Sequence, residues 1–200
     1  PLIFLDRSLG GLVLKEALCQ MYINPKQEDK VLLRSIRAVV FFGIPNRVMD
    51  ISALIPMAER QVNEDFLRSL GTDSADLQRQ AQQWSKAFDC TESESLTQYS
   101  LEILSFYETN ASPTAIKVNG KWKMSGPSTT LVDRSSATHV IPRERYARFV
   151  IPISRNRSEL VNFCGQSDPV YVNHILPHLK SYLDDEHKGK STQSPRLSLF

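Results

Sequence analysis

The chain has 200 residues, 41% of them hydrophobic, which is enough for one globular domain with a buried core. Its 24 lysines and arginines nearly balance 22 aspartates and glutamates, so the net charge of +2 supplies no broad field that would attract nucleic acid or an anionic membrane. No run approaches the roughly 18 apolar residues of a membrane span, so no transmembrane segment is expected. The three cysteines are far apart, and no Cys or His has metal-ligand spacing. We expect a reduced, intracellular protein with no metal and no cofactor.

The first residues predict a strand, a tight turn and a helix. Residues 2–5 form a continuous apolar run, which is typical of a strand buried on both faces of a parallel sheet. After a break over residues 6–11, apolar residues recur with helical spacing over residues 12–18. The β-rich run 36–42 predicts a second strand, which Gly43 and Pro45 end.

Two helical stripes follow. Apolar residues recur every three or four positions over residues 51–70 and again over residues 77–88, which predicts two amphipathic helices. Such a pair can cap the active edge of a sheet, but an ordinary packing pair is the favoured interpretation. Trp84 and Phe88 are accordingly expected in the core rather than in an acyl pocket. Residues 101–107 predict the third strand, which ends at Glu108.

The last part of the chain is predicted to contain short strands, a helix and a tail. Residues 115–118 and 130–132 read as short strand pieces separated by a loop or hairpin excursion. Residues 150–153 predict the last strand, and the apolar spacing over residues 172–183 predicts a closing helix that Pro177 is expected to kink. Residues 184–200 are polar and rich in serine and lysine, which predicts a disordered tail or linker.

The order of these elements predicts the fold class. Strands and helices that alternate along the chain favour an α/β domain over residues 1–183, with a mostly parallel sheet flanked by helices. Catalytic groups in such a sheet belong at the carboxyl ends of the strands.

The segment DRSLGG, residues 6–11, carries the strongest chemical signal. It nearly matches the G-x-S-x-G turn on which hydrolases hold a nucleophilic serine, and it stands between a predicted strand and a predicted helix as that motif requires. The residues two before and two after the serine must be small, because they meet across a strained turn. Gly10 meets this requirement and Asp6 does not. The alternative is a plain helix entry in which Ser8 serves only as an N-cap.

Several spaced motifs resemble one family. Residues 8–11, SLGG, are similar to the end of the G-H-S-L-G-G elbow found in α/β-hydrolases related to the serine active site-containing protein, whereas Asp6 and Arg7 replace its Gly and His. Residues 41–47, FFGIPNR, resemble the family's F-x-G-T-P-H-R, with Ile44 and Asn46 as departures. Residues 105–109 match its S-F-Y-E-T, and residues 132–138 resemble its V-D-x-x-S-A. In fungi these lipase- or esterase-like domains often precede nucleotide-binding NACHT modules.

The resemblance implies a partial α/β-hydrolase fold, of which this chain is the C-terminal part. It implies Ser8 as the nucleophile, the Leu9 N–H as one oxyanion donor and Glu108 as the acid, with Asp133 as the second choice. The family's Asp-His pair falls at residues 156–157, so Arg157 stands where the general base is expected. An arginine stays protonated and cannot take the serine proton.

Two other sets of residues leave alternatives open. His139, in a predicted loop near the sheet edge, is the outside candidate for a replacement base, although a lone loop histidine is more often a solvated surface residue. Six arginines could instead bind an anion at the active-site edge, but dispersed surface charge is the favoured interpretation; they are Arg47, Arg143, Arg145, Arg148, Arg155 and Arg157.

Two functions therefore stay open. The favoured one is a degenerate, inactive serine-hydrolase-like domain that acts as an interaction or regulatory module beside other domains of a larger protein. The alternative is an active serine esterase with Ser8 as its nucleophile and a lipid or another ester as its substrate. The resemblance also implies association with the mitochondrion or the endoplasmic reticulum.

Overall fold

The computed structural model describes residues 2–47, 61–62, 64–71, 74–89, 101–138 and 149–182. The chain forms two compact units, of which one spans Leu2–Asn162 and the other contains Phe163–Phe200. Most of the predicted helix over 51–70, the candidate base His139 and the tail 184–200 lie outside the described residues. In the part of the chain that is described, no helix is both long and apolar enough to cross a membrane.

Four parallel strands form the sheet of the first unit. The strands of the chain are β1 (Leu2–Arg7), β2 (Ile36–Phe42), β3 (Glu102–Glu108), β4 (Ser112–Val118), β5 (Lys121–Thr129) and β6 (Val150–Ile153). The sheet has the order β1-β2-β3-β6, with every neighbouring pair parallel. β2 is buried at every position. The prediction that residues 2–5 are buried on both faces is wrong, because β1 pairs only with β2 among the described strands and leaves Leu2 and Leu5 41% and 53% exposed. The predicted α/β arrangement, a mostly parallel sheet flanked by helices, is confirmed.

The described helices of the first unit differ in how strongly the sequence signals them. They are α1 (Leu9–Ile23), α2 (Gln27–Ser35), α3 (Glu64–Arg68), α4 (Ala75–Asp89) and α5 (Arg134–Ala137). α1 and α4 confirm the helices predicted over residues 12–18 and 77–88. α2 was not predicted, although its start is marked by a hydrogen bond from the Lys26 N–H to Asp29 Oδ2 at 2.8 Å.

Close packing of α1 and α4 against β2 forms the core. Trp84 of α4 is fully buried, and its ring meets that of Phe41 edge to face with centroids 6.0 Å apart. Gly11 lets α1 approach the end of β2, because a Cβ at this position would overlap the Ile44 side chain. The prediction that Trp84 is a core residue is confirmed, whereas the side chain of Phe88 lies outside the described part.

β4 and β5 form a separate antiparallel hairpin. Its turn residues, Asn119 and Gly120, have positive φ angles of 51° and 77°, which suit a two-residue hairpin turn. The predicted strand piece at 115–118 is confirmed, and the polar stretch after it is a hairpin. The strand piece predicted at 130–132 is wrong, because the N–H groups of Leu131 and Val132 donate to the Glu108 carboxylate instead of to a strand.

The second unit contains a helical stretch over residues 169–182, which confirms the predicted closing helix within the described residues. Residues Tyr171–Ile175 form a π-helical turn, and the Leu176 N–H donates to the Tyr171 carbonyl five residues earlier. Pro177 has no N–H to donate, so the wide turn lies where the ordinary α-helical ladder is interrupted.

Candidate functional site

Ser8 occupies a strained turn at the carboxyl end of β1. Its φ of 53° and ψ of −128° are unusual for a residue with a side chain, and α1 begins at the next residue. The Ser8 N–H donates to the Phe42 carbonyl at the end of β2, at 3.0 Å. The predicted sharp strand-to-helix turn at this sheet edge is confirmed. The Ser8 side chain makes no capping hydrogen bond to α1, so the interpretation as a plain N-cap is wrong.

Asp6 and Gly10 face each other across this turn. A Cβ at Gly10 would lie 3.2 Å from Asp6 Oδ1, so the missing side chain of Gly10 leaves the room that Asp6 uses. Partial burial raises the pKa of Asp6. The turn therefore accommodates a carboxylate where the elbow motif has glycine.

Arg157 lies directly against Ser8. Its Nη2 donates to Ser8 Oγ at 2.6 Å, and its Nη1 donates to the Gly43 carbonyl at 3.2 Å. The main chain of Arg157 is held as well, because its N–H donates to Ser112 Oγ at 3.1 Å and its carbonyl accepts from Arg7 Nη2 at 2.8 Å. Only 12% of the side chain is exposed. The guanidinium is therefore fixed in one place beside the serine hydroxyl.

Glu108 stands behind Arg157 at the carboxyl end of β3, with its side chain fully buried. Its Oε1 accepts from the N–H groups of Leu131 and Val132 at 3.0 and 3.1 Å. Its Oε2 lies 3.8 Å from Arg157 Nη1 and has no hydrogen-bond partner among the described residues. Burial raises the pKa of Glu108, although those two N–H groups and the Arg157 charge oppose the shift.

Gly43 lies close to the Arg157 guanidinium. It has a φ of +57°, and a Cβ there would lie 3.1 Å from Leu160 Cδ2 and 3.4 Å from Arg157 Nη1. Its own N–H donates to the Phe106 carbonyl at 2.8 Å, which fixes the chain as it leaves β2. From the sequence, Gly43 was predicted only as the end of a strand. Its position in the segment that resembles F-x-G-T-P-H-R was the signal that it also belongs to the site.

The other candidate residues have different positions. Leu9 is the first residue of α1, so its N–H is one of those that have no partner within a helix, and it is adjacent to Ser8. Asp133, the second-choice acid, is exposed and caps α5: its Oδ1 accepts from the Ser136 N–H at 2.7 Å. Glu108, and not Asp133, is the carboxylate paired with Arg157. The described part of the first unit contains no histidine.

Lys15 of α1 is a fully buried cation that the sequence did not predict. It donates to Asn46 Oδ1 at 2.7 Å and lies 5.2 Å from the centroid of the Trp84 ring. The Asn46 N–H donates to the Ser136 carbonyl at 2.8 Å. These contacts tie the loop after β2 to α1 and α5, below the strand ends that carry the site. The signal in the sequence for this burial was the position of a lysine within an apolar stripe of a helix.

The site brings together a hydroxyl, a guanidinium and a carboxylate, with Arg157 contacting Ser8 Oγ through Nη2 and facing Glu108 Oε2 with Nη1. Among the described residues, no group of histidine, cysteine and carboxylate side chains could hold a metal ion. No family model, curated protein or solved structure matches the chain.

Proposed function

We propose that the chain is a degenerate α/β-hydrolase-like domain, inactive as an ester hydrolase, that acts as an interaction or regulatory module of a larger protein. Ser8 and Glu108 keep the positions of nucleophile and acid, and Arg157 replaces the base. The hydrogen bond from Arg157 Nη2 to Ser8 Oγ, 2.6 Å long, is the observation that carries the proposal.

The direction of this hydrogen bond explains the loss of activity. A general base accepts the serine proton while Oγ attacks the ester carbonyl, but a guanidinium has five N–H donors and no acceptor. Burial lowers the pKa of Arg157, whereas the negative charge of Glu108 opposes the change. Because an arginine side chain is not deprotonated in proteins near neutral pH, Arg157 stays a cation. The Arg157 Nη2–H also occupies a lone pair of Ser8 Oγ, the atom that would have to attack the ester carbonyl.

The strained turn favours hydrolase ancestry over coincidence. A non-glycine residue at positive φ costs on the order of 1–3 kcal/mol and persists only where the surroundings enforce it. Ser8 is held in this conformation by the Phe42 carbonyl on one side and by Arg157 on the other. The same geometry favours the alternative, an active serine esterase, because Leu9, whose N–H has no partner within α1, directly follows Ser8. That alternative requires a base that the described residues of the first unit do not supply.

A fluorophosphonate probe, which reacts with activated serines, distinguishes the two functions. The unmodified chain should be labelled no more than its Ser8→Ala variant, while an active esterase in the same mixture reacts fully. Strong labelling that disappears in Ser8→Ala would establish the esterase instead.

The regulatory role is tested in the full-length protein. Ser8→Ala removes only a hydroxyl and should leave the cellular phenotype unchanged if the module is not catalytic. Glu108→Ala disrupts the buried site and should impair the phenotype. A phenotype that is lost equally in Ser8→Ala would contradict a non-catalytic role.

A further inference from the structure

The β4–β5 hairpin is an exposed ribbon of unusual composition. Between Ser112 and Thr129 it contains three lysines, Lys117, Lys121 and Lys123, and no acidic residue. All of residues 121–125 are exposed, so both faces of the ribbon near its tip meet solvent. This positive charge is local, since the whole chain carries a net charge of only +2.

The strand register sets a lysine beside an apolar side chain on each face. Lys117 pairs with Trp122 on one face, and Ile116 pairs with Lys123 on the other. Met124 follows Trp122 on the first face, because alternate residues of a strand share a side. Trp122, Met124 and Ile116 are 39%, 58% and 37% exposed. Near the tip, each face of the ribbon therefore carries both a lysine and an apolar side chain.

We propose that this hairpin binds the surface of an anionic lipid bilayer, with the Asn119–Gly120 turn leading. Tryptophan is enriched at the boundary between lipid headgroups and hydrocarbon, where its apolar ring and its N–H are both accommodated. Lysines beside it attract anionic headgroups while their carbon chains lie along apolar surface. The lysines of the ribbon and the apolar side chains paired with them are therefore all groups that a bilayer interface accommodates.

A bilayer suits this ribbon better than an acidic protein does. A protein partner covers one face of a ribbon, which would leave the lysine and apolar pair of the other face in water. A lipid interface surrounds a tip that enters it and contacts both faces. Nucleic acid is disfavoured because the ribbon has a single aromatic residue and no arginine between Ser112 and Thr129.

Sedimentation with vesicles tests the charged part of the proposal. The chain should bind vesicles of phosphatidylcholine containing phosphatidylserine and should not bind pure phosphatidylcholine. The triple variant Lys117→Gln, Lys121→Gln and Lys123→Gln should bind about 100-fold less, since each lysine near an anionic surface contributes about a factor of five. Lys26, Lys86 and Lys180 are exposed lysines elsewhere in the chain. Their triple glutamine variant has the same net charge and should bind like the unmodified chain.

Quenching by lipids brominated along their acyl chains tests insertion. Trp122 should be quenched on binding, whereas Trp84 is fully buried and provides an internal reference. Trp122→Ala with Met124→Ser should abolish the quenching and weaken binding while all three lysines remain. Equal losses in the two lysine variants, or binding to heparin that matches binding to the vesicles, would overturn the proposal. Circular dichroism of each variant checks that the fold persists.

Discussion

Glu108 and Arg157 form an ion pair that is buried but not hydrogen-bonded. Glu108 Oε2 is 3.8 Å from Arg157 Nη1, while the other carboxylate oxygen is engaged by two main-chain N–H groups. Arg157 directs its shortest hydrogen bond away from the carboxylate, toward Ser8. The pair therefore compensates charge without the short contact that makes a buried ion pair strong.

Removal of the guanidinium should destabilise the first unit. Arg157→Met leaves the Glu108 carboxylate buried without its counter-charge, so we expect the free energy of unfolding at pH 7 to fall by about 3 kcal/mol. Urea denaturation measures this loss. Arg34→Met, at an exposed position, is the matched control and should change it by less than about 0.5 kcal/mol. If the double variant with Glu108→Gln loses as much as Arg157→Met alone, charge compensation is not the cause.

The raised pKa of Glu108 sets a pH dependence. In the folded chain the carboxyl binds its proton more tightly than in the unfolded chain, where its pKa is near 4.5. Its contribution to stability is therefore fully present below about that pH and is lost as the pH rises through the folded-state value. We expect the free energy of unfolding to decline with rising pH across this window, and to decline less in Glu108→Gln. Identical slopes for the two proteins would contradict the direction of the shift.

A histidine at position 157 should create serine reactivity. In full-length protein carrying Arg157→His and Asp6→Gly, we expect fluorophosphonate labelling of Ser8 to rise by at least about 100-fold, the lower range of general-base catalysis. Neutral imidazole can accept the Ser8 proton, and Glu108 lies where it can orient the ring. Adding Glu108→Gln should remove most of the gain. Labelling that rises equally in Arg157→Ala would mean that removal of the guanidinium, and not the new base, is responsible.

Gly11→Ala should destabilise the chain much more than Gly10→Ala does. A Cβ at Gly11 would overlap Ile44, so we expect Gly11→Ala to destabilise the chain by about 1–3 kcal/mol. At Gly10 the added Cβ meets only Asp6 Oδ1 at 3.2 Å, and the helix gains a better helix former, so the change should be small. Thermal unfolding of the two variants compares them directly. Equal effects would contradict the close approach of α1 to Ile44.

Local signals account for what could be predicted from the sequence. Residues 2–5 and 38–42 are continuous apolar runs, and the Ser8 turn has a short motif with a defined steric requirement, so β1, β2 and the turn can each be predicted from a few residues. Arg157 could be associated with Ser8, 149 residues away, only through a resemblance, since no local rule brings a loop to a distant strand end. Its role, like that of Glu108, stays a prediction.

Tertiary contacts account for what was missed. Leu131 and Val132 read as a strand by composition, but a buried carboxylate takes their N–H groups and bends the chain instead. Lys15 reads as a polar interruption of an apolar helix face, yet it is buried because Asn46, on another element, accepts its hydrogen bond. In both cases a polar group distant in sequence decides the local structure.

Ser112 connects the hairpin to the site through a hydrogen bond. The residue that begins β4 also accepts the Arg157 N–H through its Oγ, and β4 runs from there to Val118, next to the turn, with a shift in its pairing with β5 between Pro113 and Ala115. One hydroxyl therefore connects the first residue of the hairpin to the main chain of the residue that contacts Ser8. We expect a ligand bound at the hairpin to affect the position of the Arg157 guanidinium through this hydrogen bond, and Ser112→Ala to remove that effect.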